Sequence, residues 1–552
     1  MTRLGSLAWL VGVGLALGCS AADEPSPGEG GGGSGTGAGT GTGGHGVGGF
    51  GVGGLGTGGN GTGNAAPSCK VIEGGDAVPE CQEKAPADAF SPTVQWTWTA
   101  PPSTDGFADG STMTPLVGNF NDDNGDGAID LCDMPDVIVS ALSSFGGTAA
   151  TGRMFMLRGD TGVQELEFQG QVQGFAYPAF GDIDGDGLPE VVTSDPTGHV
   201  IAFKNDGSLK WTGDVGTWAT QFSLGQCPVF ALYDLDGDGH VEILAGFEVF
   251  DYQGHKLWGV PGTASEFEGQ YWCSTPTAAD LDGDGELEVL FGHQTYHADG
   301  TLAWSLPGLP AHPHVANLDD DPEPEIFLTR PDGILVLEHD GTVKFGPVRP
   351  TDPNMGAQIW GKPAVVHDFD GDSKADLAAA TSTDYSVYTV GPSNVTPKWS
   401  AAVQDISGNA TATAFDFLGD GVADGIYADE TLIHVYDGKT GAEELTSPRT
   451  SGTVIEYPVV ADIDNDGSAE ILYVSNYFGG TTGPTLTAIG DAQNRWIRAR
   501  RIWNQYSYHV TNVREDGTIP KVMKKNWELL NTFRTNSQVG DAGDCDPAEP
   551  PK

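Results

Sequence analysis

One acidic unit recurs along most of the chain, and this repetition limits the possible folds more than any other feature. Its clearest copy runs from Pro178 to Glu190 and reads PAFGDIDGDGLPE. Its copies start at Asn119, Asp182, Asp234, Asp280, Asn317, Asp368, Asp416 and Asp462, and the seven steps between them average 49 residues. A period of about 40–50 residues with four strands per unit is typical of β-propeller blades, because one four-stranded sheet needs neighbours to bury both faces.

The repeats predict an all-β fold, a propeller of about eight four-stranded blades over residues 93–496. Seven blades are the alternative if the divergent first copy, which begins at Pro115, is only an extension. Asp-Gly pairs such as Asp206-Gly207 mark hairpin tips, since tight turns need positive φ. We expect the aromatic rings that follow the tips to pack between blades. These rings are Trp211, Trp258, Trp304, Phe345 and Trp399.

Trp96 and Trp98 look like an outermost strand without a blade before it. The N-terminal strand is therefore expected to complete the last blade and close the ring.

Within each unit the acids follow the pattern D-x-D-x-D-G-x-x-E/D. Alternate carboxylates converge from a tight loop, the glycine permits the sharp turn, and the last acid closes the shell. This all-oxygen cage suits Ca²⁺ better than Mg²⁺, which usually keeps more water. Solvated acidic turns without an ion are the alternative.

Five copies retain all four acids. They are Asp182/Asp184/Asp186/Glu190, Asp234/Asp236/Asp238/Glu242, Asp280/Asp282/Asp284/Glu288, Asp368/Asp370/Asp372/Asp376 and Asp462/Asp464/Asp466/Glu470. The copy at Asp368 has Ser373 in the glycine position. The copy at Asn317 has Pro322 there, and the copy at Asp416 has Leu418 in place of a ligand, so we expect weak binding or none. The first copy uses either Asp122/Asn124/Asp126/Asp130 or Asn119/Asn121/Asp123 with Asp136.

These units resemble the FG-GAP/VCBS repeats of bacterial surface proteins and the calcium-bearing blades of integrin α-subunit propellers, over roughly residues 111–496. The resemblance implies a calcium-stabilised propeller with several Ca²⁺ ions. It also implies that the metal loops lie on one face and that ligands use the opposite face.

The N-terminus is typical of an exported bacterial lipoprotein. Residues 1–19 contain Arg3, an apolar run and the sequence Ala-Leu-Gly-Cys19, which resembles a lipobox with Cys19 as the acylated residue. A plain secretory signal is the alternative. The Gly-rich linker 20–66 cannot bury a core, so we expect a disordered tether, followed by a short cysteine-containing segment at 67–92. The anchor places the protein in the cell envelope, at the outer membrane or cell surface.

Charge and cysteine content narrow the possible partners and compartment. The net charge is −50, which disfavours nucleic acid as a partner. Beyond Cys19 there are six cysteines, an even number that favours disulfides in an exported chain. The suggested pairs are Cys69 with Cys81 and Cys227 with Cys273, which occupy the same place in consecutive repeats.

The C-terminal segment 497–552 is basic and aromatic, in contrast to the rest. We expect a closing element whose cations dock on the acidic propeller; a surface for anionic glycans is the alternative. The predicted function is a non-catalytic binding or adhesion module for a protein or glycan ligand. A polysaccharide lyase using residues such as Arg500, Arg501, Tyr506, Tyr508 and His509 is a second hypothesis, and a purely structural envelope protein is a third.

Overall fold

A computed structural model describes residues 84–539 except 87, 104–109, 126, 146–149, 221–226, 261–272, 308–310, 320, 351–361, 406–407 and 477–482. Several predictions lie outside the described residues. These concern the signal peptide 1–19 with Cys19, the linker 20–66, and Cys69 and Cys81 within the segment 67–92.

Eight antiparallel sheets of four main strands form an eight-bladed propeller, so the prediction of eight blades is confirmed over seven. Blade 1 contains β2 (Leu116–Gly118), β3 (Asp136–Phe145), β4 (Ala150–Arg158) and β5 (Gln164–Glu167), with β6 (Val172–Gln173) also paired to β4. Blade 2 contains β7 (Ala179–Gly181), β8 (Glu190–Ser194), β9 (His199–Phe203) and β10 (Leu209–Val215). Blade 3 contains β11 (Phe230–Tyr233), β12 (Glu242–Ala245), β13 (Glu248–Phe250) and β14 (Lys256–Gly259). Blade 4 contains β15 (Thr277–Ala279), β16 (Glu288–Phe291), β17 (Gln294–Tyr296) and β18 (Leu302–Ser305).

The remaining blades repeat this order. Blade 5 contains β19 (His312–Ala316), β20 (Glu325–Arg330), β21 (Gly333–Leu337) and β22 (Val343–Val348). Blade 6 contains β23 (Val365–His367), β24 (Asp376–Ala380), β25 (Asp384–Val390) and β26 (Val395–Ala402). Blade 7 contains β27 (Ala412–Phe415), β28 (Asp424–Ala428), β29 (Leu432–Tyr436) and β30 (Glu443–Pro448). Blade 8 contains β31 (Val459–Ala461), β32 (Glu470–Val474), β33 (Leu486–Asp491) and β1 (Pro92–Trp98).

The ring closes through the N-terminal strand, as predicted. β1 pairs antiparallel with β33, and this pairing places Trp96 opposite Ala488 and Trp98 opposite Leu486. The last blade is therefore built from both ends of the repeat region. This closure covers the strand edges that an open ring would expose.

Aromatic rings on the outermost strands pack against the hairpin glycine of the next blade. Because these glycines have no side chain, the ring approaches the backbone; a Cβ added to Gly300 would lie 2.7 Å from the Trp258 ring. The other pairs of this kind are Trp211 with Gly254, Trp304 with Gly341, Trp399 with Gly441 and, across the ring closure, Trp96 with Gly162. Phe345 shares a hydrophobic cluster with Tyr388 of blade 6. The predicted packing of these rings between blades is confirmed.

The C-terminal segment fills the centre of the ring. Trp503 exchanges two main-chain hydrogen bonds with Val117 of blade 1, at 3.0 and 2.8 Å. The carbonyl oxygen of Asn504 accepts a hydrogen bond from the amide of Phe180 in blade 2 at 2.9 Å. The side chain of Gln505 accepts one from Leu232 of blade 3 at 2.8 Å.

The same segment continues around the other five blades. Met523 packs against Ala278 of blade 4, Asn531 accepts the amide hydrogen bond of Asn317 beside blade 5, and Phe533 forms a bridge with Val366 of blade 6. Thr413 of blade 7 donates to the carbonyl oxygen of Arg534, and Asn536 donates to that of Val460 in blade 8. The sequence had suggested a separate segment after residue 496; the structure makes residues 497–539 part of the propeller core.

Two other kinds of regular structure occur among the described residues. They are 3₁₀ turns at Thr217–Thr220 and Val510–Asn512 and an α-helix, α1, at Asn526–Leu529. None of the helices in the described part of the chain is long and apolar enough to cross a bilayer.

Candidate metal loops

The acidic loops occupy one structural position in every blade. Each joins the innermost strand to the second strand, and the closing acid is the first residue of that second strand. The closing acids of blades 1 to 8 are Asp136, Glu190, Glu242, Glu288, Glu325, Asp376, Asp424 and Glu470. All eight loops therefore lie on the same face of the propeller.

The loop backbone is folded around its first acid. In blade 2, Asp182 accepts hydrogen bonds from the amides of Gly185 at 2.8 Å and Gly187 at 3.0 Å. Both glycines have positive φ, +74° and +86°, which a residue with a side chain adopts only at a cost. Glu190 accepts the amide of Ile183 at 3.3 Å, and this contact holds the closing carboxylate next to the loop.

Several loop carboxylates of blades 3 and 8 are buried. Burial and the neighbouring loop acids raise the pKa of Glu242 in blade 3 to about 8 and that of Asp464 in blade 8 to about 7. One oxygen of Asp234 and one of Asp462 are buried and have no hydrogen-bond partner, while these residues are only 5% and 0% exposed. Such atoms are costly unless a cation pairs with them. The all-oxygen donor sets of blades 3 and 8 therefore fit a calcium ion.

In blade 4, oxygens of Asp280, Asp282 and Asp284 lie within 4.8 Å of one another. His297 also approaches the closing acid there, with its Nδ1 3.1 Å from Glu288. This group could also hold a cation.

In blade 1 the closing acid comes from the second of the two predicted ligand sets. Asp136 starts β3 and accepts the amide of Phe120 at 2.9 Å, as Glu190 accepts that of Ile183. Four buried side-chain oxygens in this blade have no hydrogen-bond partner; they belong to Asn119, Asn121, Asp123 and Asp136. The structure thus brings together the side chains of the second predicted ligand set, Asn119, Asn121, Asp123 and Asp136. In the other set, Asp122 binds the amides of Gly125 and Gly127, and Asp126 lies outside the described residues.

Three blades hold a lysine ammonium inside the loop. Lys210 Nζ lies 2.6 Å from both Asp184 and Glu190 in blade 2. Lys344 pairs with Asp319 and lies 2.6 Å from Glu325 in blade 5, and Lys398 pairs with Asp370 and lies 2.7 Å from Asp376 in blade 6. The loop sequences did not reveal these lysines, because each comes from the outermost strand.

Two of the predicted metal ligands, Asp186 in blade 2 and Asp372 in blade 6, lie at the solvent edge of their loops. The side chain of Asp186 is 49% exposed, and its nearer oxygen is 3.7 Å from Lys210 Nζ. The carboxylates that do converge in blade 2 are those of Asp182, Asp184 and Glu190. Asp372 is likewise exposed.

The physical reason for these positions is a local turn. Asp186 accepts the amide of Leu188 at 2.9 Å, and Asp372 accepts that of Lys374 at 2.9 Å. A short acidic side chain that binds the amide two residues ahead is held over its own turn.

The third acid makes the same local contact in the loops without a lysine. Asp238 accepts the amide of His240 at 2.7 Å, Asp284 that of Glu286 at 2.9 Å and Asp466 that of Ser468 at 2.9 Å. This contact uses one carboxylate oxygen of each residue. In blade 3 the converging group is Asp234, Asp236 and Glu242, so Asp238 also lies outside the central cluster of its loop.

The loop of blade 7 lacks one acid, as predicted from Leu418. Asp416 still binds the amides of Asp420 and Gly421 at 3.1 and 2.8 Å. Burial raises the pKa of Asp424 well above its ordinary value, and Glu444 of the outermost strand adds to that shift.

The opposite face carries a disulfide. Cys227 and Cys273 precede the innermost strands of blades 3 and 4, and the predicted bond between them is confirmed. It joins two adjacent blades at the end of the strands away from the metal loops. Cys132, in the acidic insertion of blade 1, is also disulfide-bonded.

Five basic and aromatic residues of the C-terminal segment, those named for a lyase site, are buried. Arg500, Arg501, Tyr506, Tyr508 and His509 are all 4% exposed or less. Arg501 pairs with Glu515 at 2.8 Å, and Arg500 donates to the carbonyl oxygens of residues 510 and 513. These five side chains are therefore not accessible to a glycan or a polymeric substrate in the folded chain.

The expectation of cations docked on the acidic propeller is confirmed for two residues of this region. Arg498 lies 3.2 Å from Asp462, and Lys525 lies 3.9 Å from Asp280.

Eight four-stranded blades with acidic loops between their first and second strands define an eight-bladed β-propeller. Residues 182–245, which cover blade 2 and the start of blade 3, match the family described as FG-GAP-like repeat. We found no significantly similar sequence among curated proteins.

Solved structures support the same fold. The V. cholerae biofilm matrix protein Bap1 is 21% identical with a TM-score of 0.67, over 82% of this chain and all of that chain. The rhamnogalacturonan lyase YesW is 16% identical with a TM-score of 0.47, over 73% of this chain and 76% of that one. The rhamnogalacturonan lyase PL11 of Bacillus licheniformis is 17% identical with the same TM-score, over 83% of each chain. The likeness to Bap1 shows the fold alone, and the TM-scores of the lyases are too low to carry an argument.

Proposed function

We propose that this chain is a calcium-stabilised propeller, lipid-anchored in the bacterial cell envelope, that acts as a non-catalytic binding or adhesion module. The observation that carries the calcium assignment is the pair of buried, unpaired carboxylate oxygens on Asp234 and Asp462. A bound Ca²⁺ would supply the missing partner for both. It would also neutralise part of the net charge of −50.

Lipid anchoring rests on the N-terminal sequence that ends at Cys19. A Cys19→Ser variant should leave the membrane fraction and accumulate in the soluble or extracellular fraction, while a Ser20→Ala variant should remain with the membrane. Equal partitioning of Cys19→Ser and wild type would refute the anchor.

The binding surface that we propose is the face opposite the metal loops. There each outermost strand connects to the innermost strand of the next blade, and these connections differ in length: residues 260–276 join β14 to β15, whereas 306–311 join β18 to β19. Variable loops on a rigid frame are typical of recognition sites. The ligand that we propose is a surface protein or an anionic glycan, the latter bound through these loops and not through the buried Arg500 and Arg501.

Adhesion can be tested on cells. Because Bap1 is a biofilm matrix protein, retention of cells in a biofilm is the first assay, with a deletion strain complemented by wild type or by Cys19→Ser. Retention that depends on the gene and on surface display would support the module.

A direct assay separates the module from the two other hypotheses. Purified chain is incubated with uronate polysaccharides, and polymer binding and chain length are measured together. Binding at constant chain length supports the module. Shortening of the polymer would favour the lyase, and neither binding nor retention would favour a structural envelope protein.

A further inference from the structure

A single position on the outermost strand of each blade determines what faces the acidic loop. In all eight blades this strand is out of register by one residue just before its aromatic or leucine residue. Such a β-bulge redirects the extra side chain. The bulge residues of blades 1 to 8 are Glu165, Lys210, Leu257, Ala303, Lys344, Lys398, Glu444 and Gln95.

The contacts show that this side chain points at the loop in blades 1, 2, 5, 6 and 8. Lys210 reaches Asp184 and Glu190 in blade 2, and Gln95 donates to Glu470 at 3.3 Å in blade 8. Glu165 accepts a hydrogen bond from Asn121 at 2.6 Å in blade 1. The same β-bulge thus places a cation, an anion, an amide or an apolar group beside chemically similar loops.

We infer that the bulge residue decides whether a loop takes calcium. In blades 2, 5 and 6 the bulge lysine is the permanent counter-ion and no calcium binds, whereas calcium binds in blades 3, 4 and 8, where the position is leucine, alanine and glutamine. This inference rests on the calcium binding proposed above and assigns it to particular blades.

The lysine ammonium and a calcium ion cannot occupy the same loop together. The ammonium of Lys210 lies 2.6 Å from the oxygens of Asp184 and Glu190, and Ca²⁺ requires carboxylate oxygens at about 2.3–2.6 Å. Both cations would use the same two oxygens and would repel each other at that range. The three lysine side chains are only 15%, 16% and 14% exposed, so they are held in the loops and do not extend into solvent.

The pattern of unpaired oxygens agrees with this division in blades 2, 3, 5, 6 and 8. Among the described residues, blades 2, 5 and 6 have no loop carboxylate oxygen that is both buried and unpaired. Blades 3 and 8, without a bulge lysine, have one each, on Asp234 and Asp462. Arg498 does contact Asp462, but through the oxygen that also accepts the amide of Gly467, and the other oxygen stays unpaired.

The loop sequences give a second, independent indication. Two of the three lysine blades have lost the glycine of the motif, with Pro322 in blade 5 and Ser373 in blade 6. A loop that no longer binds calcium does not need the motif intact. Blade 2 keeps the complete motif, so it provides the decisive test.

The test exchanges the bulge residues of two neighbouring blades and counts bound calcium. The full chain is equilibrated with calcium in dialysis, and calcium per chain is measured by elemental analysis for wild type, Lys210→Met and Leu257→Lys. We expect Lys210→Met to bind one calcium more than wild type and Leu257→Lys to bind one fewer. Lys256→Met is the matched control, because this lysine also lies on an outermost strand but pairs with Glu248 outside the loop; its count should equal that of wild type.

The outcomes separate this inference from the proposed function. If wild type binds calcium but neither exchange changes the count in folded protein, the bulge residue does not select the cation and the inference fails. Circular dichroism verifies folding of each variant, and the reciprocal Leu257→Lys change keeps the test valid if Lys210→Met unfolds. A wild-type chain that binds no calcium overturns both.

Discussion

Calcium should raise the thermal stability of the chain by an amount that the structure allows us to estimate. The perturbation is removal of calcium with excess EDTA, compared with a calcium concentration about a hundredfold above Kd. At that excess, each site specific to the folded state contributes about 2.7 kcal/mol. Three occupied loops, those of blades 3, 4 and 8, therefore contribute about 8 kcal/mol.

This free energy can be converted into a melting temperature. The entropy of unfolding is about 2.1 cal/mol/K per residue, or about 1 kcal/mol/K for roughly 450 folded residues. The expected rise in Tm is therefore roughly 8 °C. Differential scanning calorimetry in EDTA, calcium and magnesium measures it directly.

A matched pair of variants tests the origin of the shift. Asp234→Asn removes a ligand in blade 3, so it should reduce the calcium-dependent rise by about one third. Asp251→Asn changes an aspartate of the same blade that lies at a hairpin tip and binds only backbone amides; its calcium-dependent rise should match wild type. An equal rise with magnesium, or none with either ion, would refute the calcium assignment.

Three further predictions concern packing, covalent structure and pH. Gly300→Ala should lower the free energy of unfolding in denaturant by about 2–4 kcal/mol, since the residue has φ of +82° and its new Cβ would clash with the Trp258 ring. Gly170→Ala has φ of +94° and no neighbouring atoms, so it should lower the free energy of unfolding by only about 1–2 kcal/mol. Equal losses in the two variants would contradict the packing argument. Replacing Cys227 and Cys273 together by serine opens a loop with a sequence separation of 46 and should cost about 4 kcal/mol by the loop-entropy relation; an unchanged urea midpoint would exclude a stabilising role. Asp429 and Glu443 raise the pKa of His434 although burial opposes this shift. The stabilisation from its positive charge is therefore complete below about pH 6.5 and is lost as the pH rises through the raised pKa. The difference in unfolding free energy between wild type and His434→Gln should shrink over that range, and a constant difference would show that the charge contributes nothing.

The fold was largely predictable because its signals are local. Each loop and hairpin tip uses a few adjacent residues, and their recurrence fixes the blade count. Ring closure followed from Trp96 and Trp98, which had the pattern of an outermost strand but no blade to join. Local chemistry repeated eight times leaves few alternative folds.

The C-terminal segment was harder to interpret, since composition does not reveal the partners of a charge. Arginines and aromatic residues in one stretch are typical of an exposed binding surface. Here Arg501 is buried against Glu515 and Arg534 donates to the carbonyl oxygen of Ala364, 170 residues away in sequence. Such contacts depend on the assembled ring.

The bulge lysines were missed for a related reason. Lys210 directly precedes Trp211, and simple alternation along a strand would place its side chain on the opposite face from the tryptophan ring. Only the bulge explains why it reaches the loop. The signal available in sequence was the residue just before the ring, which is lysine in three repeats.

The outward positions of Asp186 and Asp372 could not be predicted from the motif, because the motif gives the third acid the same role as the other acids. In the folded loops the third acid instead accepts the amide two residues ahead, as Asp238 and Asp466 also do.

The N- and C-terminal parts of the propeller can pair only late in synthesis. Blade 8 needs β1, which was synthesised almost 400 residues before β33, and the centre needs residues 497–539 to contact all eight blades. A nascent chain can therefore form individual blades but cannot complete the ring until its last segment has emerged. Contacts of such long sequence separation form slowly. During that interval partly assembled blades would expose open edges, so we expect folding to be most vulnerable to aggregation and proteolysis just before the C-terminal segment enters the centre.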